Sequence, residues 1–192
     1  IQITYSPMNQ PNTPPTFPAW FAARQQAAWQ NYLELPTPKR GDETWRFSSF
    51  AHLNLTGYTA ALSSSSNKLT NKVQGTATAA ARFVFQNHEL IQSESHLPKE
   101  VICTTLAEAL IAHSDLVQKY FMRRETRLGS AKFAALHEAS LQNGVFIYVP
   151  EGLQLEENIE ITHYFAGVNT LHFPHTLIVT EKNAKVRVLE TF

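Results

Sequence analysis

The chain has 192 residues, of which 43% are apolar and 17% charged, and 16 basic and 16 acidic side chains give a formal net charge of zero. This composition indicates a globular protein with one sizeable core or two small ones. It disfavours a nucleic-acid or membrane-surface protein, which usually carries a basic excess. No apolar run approaches the about 20 residues that a membrane span needs.

The N-terminal segment, residues 1–17, is polar and rich in proline. Such a composition predicts a tail without stable structure. The segment lacks the basic region and the apolar region of a signal peptide, so we do not expect it to direct secretion.

A helix is predicted over residues 19–35, where apolar side chains recur at helical spacing. Thr16 is placed to cap it, and Gln25 falls on its polar face. Pro36 and Pro38 end the helix because proline cannot continue the hydrogen-bond ladder.

A compact loop over residues 39–47 follows the helix and contains Trp45 and Arg46. A functional interpretation is that these two residues position the first helix against a complex. We prefer the alternative that Trp45 is an aromatic anchor, which packs the loop onto its own domain. The serine-rich stretch 63–75 then predicts a flexible linker.

A short β-hairpin is predicted next, with one strand over residues 80–85 and a return strand at Leu90-Ile91. Asn87-His88 supplies the two-residue turn between them. Residues 101–103 add another extended piece.

Three helices are predicted after this hairpin. Thr105 and Glu108 have the spacing of a capping box, and the first helix carries an apolar stripe that includes Ile111. Ser114 is placed to cap the second helix, and the third runs over residues 131–141.

From residue 144 onward, short apolar runs alternate with polar breaks, which are predicted at 150–152 and again at 156–158. This pattern fits a stacked coil of strands better than a series of hairpins. The apolar positions of this segment lack a second layer long enough to cover them, so we expect residues 144–192 to be the start of a longer β-domain.

Two tracts in this segment resemble the start of the β-helix in the SufB/SufD family. They are GVFIYVPEGLQLEENIEI at residues 144–161 and HFPHTLIVTEKNAKVRVL at residues 172–189. Upstream, the Pro36–Arg46 region, the hairpin near 82–91 and the LAEAL helix at 106–110 occur in the order typical of SufD-type members. The resemblance covers roughly residues 20–192, and its specificity rests on the ordered set.

The resemblance implies a fold and a domain organisation. An α+β N-terminal region leads into a right-handed parallel β-helix, a single-stranded β-solenoid that is truncated after its first rungs. In this scheme residues 1–17 are a disordered tail, residues 18–143 are a mainly helical region with the hairpin and the 63–75 linker, and residues 144–192 begin the β-helix.

The resemblance also implies a function. Family members of the SufD type are scaffold subunits of iron–sulfur cluster assembly that pair with SufB through the β-helix and with the ATPase SufC through the C-terminal part. They support the step at which iron enters the complex. We therefore expect a non-catalytic, cytoplasmic subunit, and a homodimer when SufB is absent.

No catalytic, cofactor-binding or metal-binding residue is assigned to this chain. The resemblance implies that the complex assembles the iron–sulfur cluster and that SufC uses ATP. It also places the family's reactive cysteine and histidine toward the C-terminal end of the β-helices, beyond residue 192.

Cys103 is the single cysteine, so it cannot form an intrachain disulfide or hold a cluster alone. One unpaired thiol favours a reducing compartment. Because free cysteine is among the most buried residue types, we expect a structural thiol and not a sulfur acceptor.

Histidines and paired carboxylates are further candidates. His172 and His175 should lie on opposite faces of a strand unless Pro174 bends the chain, which disfavours a metal site. Both His113 and His137 are expected at helix edges, where satisfied packing is the default. Glu156-Glu157 should face water in a turn.

Two other functions stay open at this point. A β-helical carbohydrate-active enzyme should display convergent acidic side chains along one face of the coil, and a surface β-solenoid used for adhesion should carry an export signal. The sequence lacks GxSxG, HExxH and P-loop patterns, which leaves hydrolase, zincin and nucleotide-binding interpretations without support.

Overall fold

The computed structural model describes residues 12–14, 16–47, 55, 57–60, 78–124 and 130–192. The predicted linker at 63–75 and most of the predicted tail at 1–17 lie outside the described residues. The helices are α1 (Ala19–Glu34), α2 (Leu106–Ala112), α3 (Ser114–Tyr120) and α4 (Ala131–Ser140), with a 3-10 turn at Glu43–Trp45. The strands are β1 (Thr59–Ala60), β2 (Ala79–Gln86), β3 (Glu89–Ser95), β4 (Ile102–Thr105), β5 (Val145–Val149), β6 (Gln154–Tyr164), β7 (Thr170–Leu171), β8 (Thr176–Thr180) and β9 (Lys185–Thr191).

The first helix has nearly the predicted bounds, but two details of the prediction are wrong. Pro18 occupies the N-cap position of α1, which has no side-chain cap, so Thr16 does not cap it. Gln25 is buried and not exposed. Its amide nitrogen lies 2.6 Å from the carbonyl oxygen of Leu141, and its amide oxygen accepts from the Thr13 hydroxyl at 2.8 Å. A buried amide that makes such hydrogen bonds is tolerated in a core.

The capping box at the start of α2 is confirmed. The Thr105 hydroxyl accepts from the Glu108 backbone N–H, and the Glu108 carboxylate accepts from the Thr105 backbone N–H. Ile111, however, is 60% exposed and outside the buried stripe of this helix. Ser114 does not cap α3, because its hydroxyl instead accepts from the Trp20 indole nitrogen at 2.9 Å.

The predicted hairpin is confirmed as the antiparallel pair of β2 and β3. Asn87 in its turn has a φ of 58°, in the left-handed region that asparagine tolerates better than most residues. A second prediction for this part of the chain is also confirmed, since β4 is extended and pairs with β5.

Three sheets organise the strands, with the orders β3-β2-β6-β9, β4-β5-β8 and β1-β7. The pairs β2–β6, β6–β9, β5–β8 and β1–β7 are parallel, whereas β2–β3 and β4–β5 are antiparallel. The described residues therefore form a mixed α and β fold whose sheets do not close on themselves. None of the helices in these residues is long and apolar enough to cross a membrane.

The parallel pairing repeats along the chain. We call β5, its turn and β6 (residues 145–164) the first unit, and β8, its turn and β9 (residues 176–191) the second unit. Val145 pairs with Thr176 and Gln154 pairs with Lys185, a separation of 31 residues in both cases (176 − 145 and 185 − 154). The two turns also bond to each other, because the Gly152 backbone N–H donates to the Lys182 carbonyl at 2.9 Å. The second unit therefore lies directly on the first.

The predicted break at residues 156–158 is wrong, because β6 runs through it without interruption. The register of β6 against β9 shifts between Gln154 and Asn158, and the separation falls to 29 residues (187 − 158) after the shift. This bulge absorbs the polar residues, since Glu156 and Glu157 are exposed there while the strand continues.

Two apolar cores lie on the two faces of β5. Alternate β5 residues, such as Ile147, pack with β2 and β6 between the two large sheets. The opposite face, which includes Phe146, packs with Phe21 of α1, Leu110 of α2 and Phe121 at the end of α3. β5 is thus buried on both faces, which explains its nearly continuous apolar sequence.

The fourth helix packs against the first and forms a third apolar cluster with it. Arg24 of α1 pairs with Glu138 of α4 at 2.6 Å, and the Lys132 ammonium donates to the Leu35 carbonyl at 2.8 Å. Leu171 and Phe173, from the segment that joins the two units, pack against the same cluster. The helices and the strand units are therefore joined through side-chain packing.

Gly144 permits a close approach between the two units. A Cβ atom at this position would lie 1.8 Å from the His175 carbonyl oxygen, which accepts the hydrogen bond from the Val145 N–H. Because that contact is with backbone atoms, a side chain at residue 144 has to displace the start of β8.

We predict that Gly144→Ala lowers the free energy of unfolding by about 3 kcal/mol, as overpacking against backbone does. Urea denaturation followed by circular dichroism measures this change. Gly41→Ala is the matched control, because Gly41 is exposed and its nearest neighbouring atom is a side-chain carbon at 4.0 Å. Equal stability of the Gly144→Ala variant and the control would contradict the close packing of the units.

Candidate functional site

Among the described residues, β8 and β9 are edge strands of the two large sheets, on the side of the second unit. Within the described residues, β8 pairs only with β5 and β9 pairs only with β6. Each strand therefore presents a free row of backbone N–H and C=O groups on its other side. A strand with such an edge is ready to pair with another strand. We call this surface the open edge.

The core between the two sheets is uncovered at the open edge. Ile178 of β8 pairs with Ile147 of β5, so the two side chains share a face of the sheet. Ile147 is fully buried, whereas Ile178 is 44% exposed. The apolar row that begins in the first unit thus continues into the second unit and ends there in contact with solvent.

A polar cluster crosses the core beside the open edge. The Glu190 carboxylate of β9 accepts from His163 of β6 at 2.9 Å and from the Thr176 hydroxyl of β8 at 2.7 Å. The hydrogen bond from His163 holds the pKa of Glu190 below its usual value. The imidazole of His163 is stacked between the rings of Phe85 and Phe192, with centroid distances of 5.4 and 5.1 Å.

The prediction that His172 and His175 lie on opposite faces of a strand is wrong, because both lie in the segment between β7 and β8. The two side chains take different partners. His175 Nδ1 lies 3.1 Å from Nε2 of His137 on α4, and His172 Nε2 lies 2.9 Å from the Thr170 hydroxyl. The contact of His137 and His175 was not foreseen, because 38 residues separate them and no local pattern marks the pair. Among the described residues, no three His, Cys, Asp or Glu side chains are grouped so as to hold a metal ion.

Burial lowers the pKa of both partners in this histidine pair. The pKa of His175 falls to about 4, first because of burial and second because of the nearby His137. Burial also lowers the pKa of His137. The pair is therefore neutral at pH 7, and one imidazole N–H donates to the lone pair of the other ring.

Cys103 lies on β4, opposite Ile147 of β5, and packs against the core between the sheets. It is half-buried, and burial raises the pKa of its thiol to about 12. The thiol is therefore protonated at neutral pH, which makes it a poor nucleophile.

The other candidate residues make local contacts. Trp45 is half-buried at the end of the 3-10 turn, and the Arg46 guanidinium lies 4.7 Å from the ring centre of Phe47. Glu156 is exposed beside Arg187, with 3.7 Å between carboxylate oxygen and guanidinium nitrogen. His113 lies at the junction of α2 and α3.

Comparison with known proteins identifies the class to which this fold belongs. A sequence model described as the SufBD protein N-terminal region matches residues 16–161, and the chain therefore belongs to the SufB/SufD family. The iron-sulfur cluster assembly protein SufD of Bacillus subtilis is 31% identical over 186 residues, which cover 91% of this chain and 42% of that protein. An iron-sulfur cluster assembly SufBD family protein of Synechocystis is 39% identical over 98 residues, which cover 47% of this chain and 18% of that protein.

A third relative is more distant. An iron-sulfur cluster assembly SufBD family protein of Pyrococcus horikoshii is 27% identical over 92 residues, which cover 48% of this chain and 20% of that protein. The chain thus spans less than half the length of these relatives.

We predict that the histidine pair makes stability fall in acid. Because the pKa of His175 is lowered on folding, the folded state binds fewer protons than the unfolded state. The contribution is therefore present above the ordinary value of 6.5 and is lost as the pH falls toward about 4. The expected loss is about 3 kcal/mol.

Urea unfolding at a series of pH values between neutrality and about pH 4 measures this dependence. In His175→Gln the slope of stability against pH should become shallower over this range. His96→Gln, which removes an exposed histidine, is the control. Parallel pH profiles for wild type and His175→Gln would contradict the assignment.

We also predict that the isolated 192-residue chain self-associates through the open edge. Ile178→Lys places a charge in the exposed apolar row and should shift the chain toward the monomer in sedimentation velocity runs. Ile111→Lys is the matched control, because Ile111 is an exposed isoleucine on α2. A wild-type chain that stays monomeric at high concentration, or equal effects of both variants, would contradict this prediction.

Proposed function

We propose that this chain is the N-terminal part of a SufD-type scaffold subunit of iron–sulfur cluster assembly. The observation that carries the proposal is the stacking of two units at a 31-residue separation in a chain of the SufB/SufD family. A scaffold needs a rigid surface that presents binding edges. Stacked parallel units provide one, since every unit fixes the register of the next.

The stacked units are the first rungs of a right-handed parallel β-helix in this proposal. Parallel strands that are joined by a crossover within one sheet are right-handed in about 98% of cases, which supports the handedness. The uncovered Ile178 row supports a further rung on β8 and β9, because removing exposed apolar side chains from water is favourable. We retain residues 144–192 as the start of this β-helix and residues 18–143 as the N-terminal region.

SufB and SufC are the partners in this proposal. SufB pairs with the β-helix, and the ATPase SufC binds the C-terminal part of the full-length protein, in the cytoplasm. The subunit is non-catalytic and supports the step at which iron enters the complex. The high pKa of the Cys103 thiol is consistent with this role, because a protonated, half-buried thiol is a poor acceptor of sulfur.

Co-expression of the full-length protein with SufB and SufC from the same organism tests the proposal. An affinity tag on the full-length protein should recover both partners, and the complex should stay intact in size-exclusion chromatography. The tagged 192-residue chain is the matched control and should not retain SufC, because the proposed SufC site lies outside it. Recovery of the full-length protein without SufB and SufC would overturn the scaffold function.

A further inference from the structure

A small, partly open cavity lies between the end of α4, the end of β6 and the segment that leads into β8. The volume that the centre of a water molecule can occupy inside it is about 20 Å³. Its lining includes Phe85, Ser140, His163, Leu171, His172 and Phe173. A cavity needs about 10–15 Å³ by this measure to hold one water molecule, so the space suffices for one and is too small for a larger ligand.

Three residues that line this cavity each carry a buried polar atom without a hydrogen-bond partner among the described residues. The atoms are Ser140 Oγ, His163 Nδ1 and His172 Nδ1. Ser140 and His163 are only 2% and 3% exposed. A buried polar atom with an unmade hydrogen bond is strongly destabilising. The three residues that carry these atoms all line one cavity, and this co-location favours a shared partner inside it.

The hydrogen bonds of Nε2 in His163 and in His172 determine whether the partner has to donate or accept at Nδ1. His163 Nε2 lies 2.9 Å from the Glu190 carboxylate, which can only accept, so Nε2 carries the proton. In the neutral ring, Nδ1 then presents a lone pair to the cavity. His172 Nε2 lies 2.9 Å from the Thr170 hydroxyl, and burial lowers the pKa of His172, which favours its neutral form. The Thr170 hydroxyl can accept from Nε2–H, and in that tautomer Nδ1 of His172 also has an available lone pair.

We propose that the cavity is a binding site for a single water molecule, which donates to Nδ1 of His163 and of His172 and accepts from the Ser140 hydroxyl. A water molecule has two donors and two acceptor sites, and this arrangement uses both donors and one acceptor. The arrangement satisfies all three buried atoms at once, within the two to four hydrogen bonds that buried waters typically make.

A metal ion fits the same lining less well. His88 also lines the cavity, but its side chain is not grouped with those of His163 and His172 so as to hold a metal ion. The remaining two imidazole nitrogens and a neutral hydroxyl provide two good ligands, whereas zinc sites use three or four protein ligands. No group of three His, Cys, Asp or Glu side chains in the described parts of the chain is placed to hold a metal ion. Water is therefore the occupant that the donor set favours.

The site has a positioning role at the open edge. The water joins α4 through Ser140 to β6 through His163, and it holds His163 in the tautomer that donates to Glu190. Glu190 in turn bonds to Thr176 of β8. One bound molecule thus links the helical layer to the polar cluster of the second unit.

A high-resolution crystal structure of the full-length protein tests the site directly. A density peak should lie roughly 2.7–3.2 Å from each of the three atoms, which are hydrogen-bond distances. A cavity without density would overturn the proposal. So would a peak roughly 2.0–2.1 Å from the imidazole nitrogens, because that is a metal–nitrogen distance.

Ser140→Ala tests the site in solution. If the hydroxyl donates to a bound water, its loss should lower the melting temperature of the full-length protein by about 2 °C. If the hydroxyl is unpartnered, its replacement by a methyl group removes an unsatisfied group and should raise the melting temperature, which would overturn the proposal.

Ser114→Ala is the matched control for a serine with a known partner, since its hydroxyl accepts from Trp20. The melting temperature of this variant should also fall.

Addition of EDTA should leave the melting temperature of the wild-type protein unchanged. A fall with EDTA that disappears in His172→Phe would show a metal ion in the cavity and overturn the assignment of water.

Discussion

Backbone hydrogen bonds between the two strand units set the register on which the rest of the structure depends. Because both the β5–β8 and the β6–β9 pairs start at a separation of 31 residues, side chains at equivalent positions stack in rows. Ile147 stacks with Ile178 in the row that faces the core. A slip of one residue would turn every row to the opposite face, so the buried rows and the register stabilise each other. Gly144 permits this pairing, since its missing side chain leaves room for the His175 carbonyl.

The burial of β5 on both faces explains why helices accompany the strands. Its inward residues are covered by β2 and β6, but Phe146 points to the opposite side of the sheet. That side is covered by Phe21, Leu110 and Phe121, which come from three different helices. An uncovered β5 would expose a continuous apolar face, which is a common cause of aggregation. The helical region and the strand units therefore form one cooperative structure, and β2 reinforces it by pairing directly with β6.

Features that depend on short stretches of sequence were predicted correctly. The capping box of Thr105 and Glu108 is local, because its two hydrogen bonds join residues three positions apart. The hairpin and the start of β5 follow from equally short patterns. The burial of Gln25 and the contact of His137 with His175 depend on partners 116 and 38 residues away, which no local pattern reveals. The uncovered apolar positions of residues 144–192 are predicted by the sequence, but the polar cluster beside them is not, since its residues come from three strands.

The polar cluster places a carboxylate on the core side of the open edge. Glu190 pairs with Ile161 in the parallel register, so a carboxylate enters a row that is apolar in the first unit. Its hydrogen bonds with His163 and Thr176 offset the cost of placing a charge beside the core. Among the described residues β8 and β9 are edge strands of two different sheets, so a strand added to β8 meets the apolar side chain of Ile178, whereas a strand added to β9 meets the carboxylate of Glu190. An inward-pointing charge at a sheet edge is one of the features that limit unselective pairing, so the β9 edge is better protected than the β8 edge.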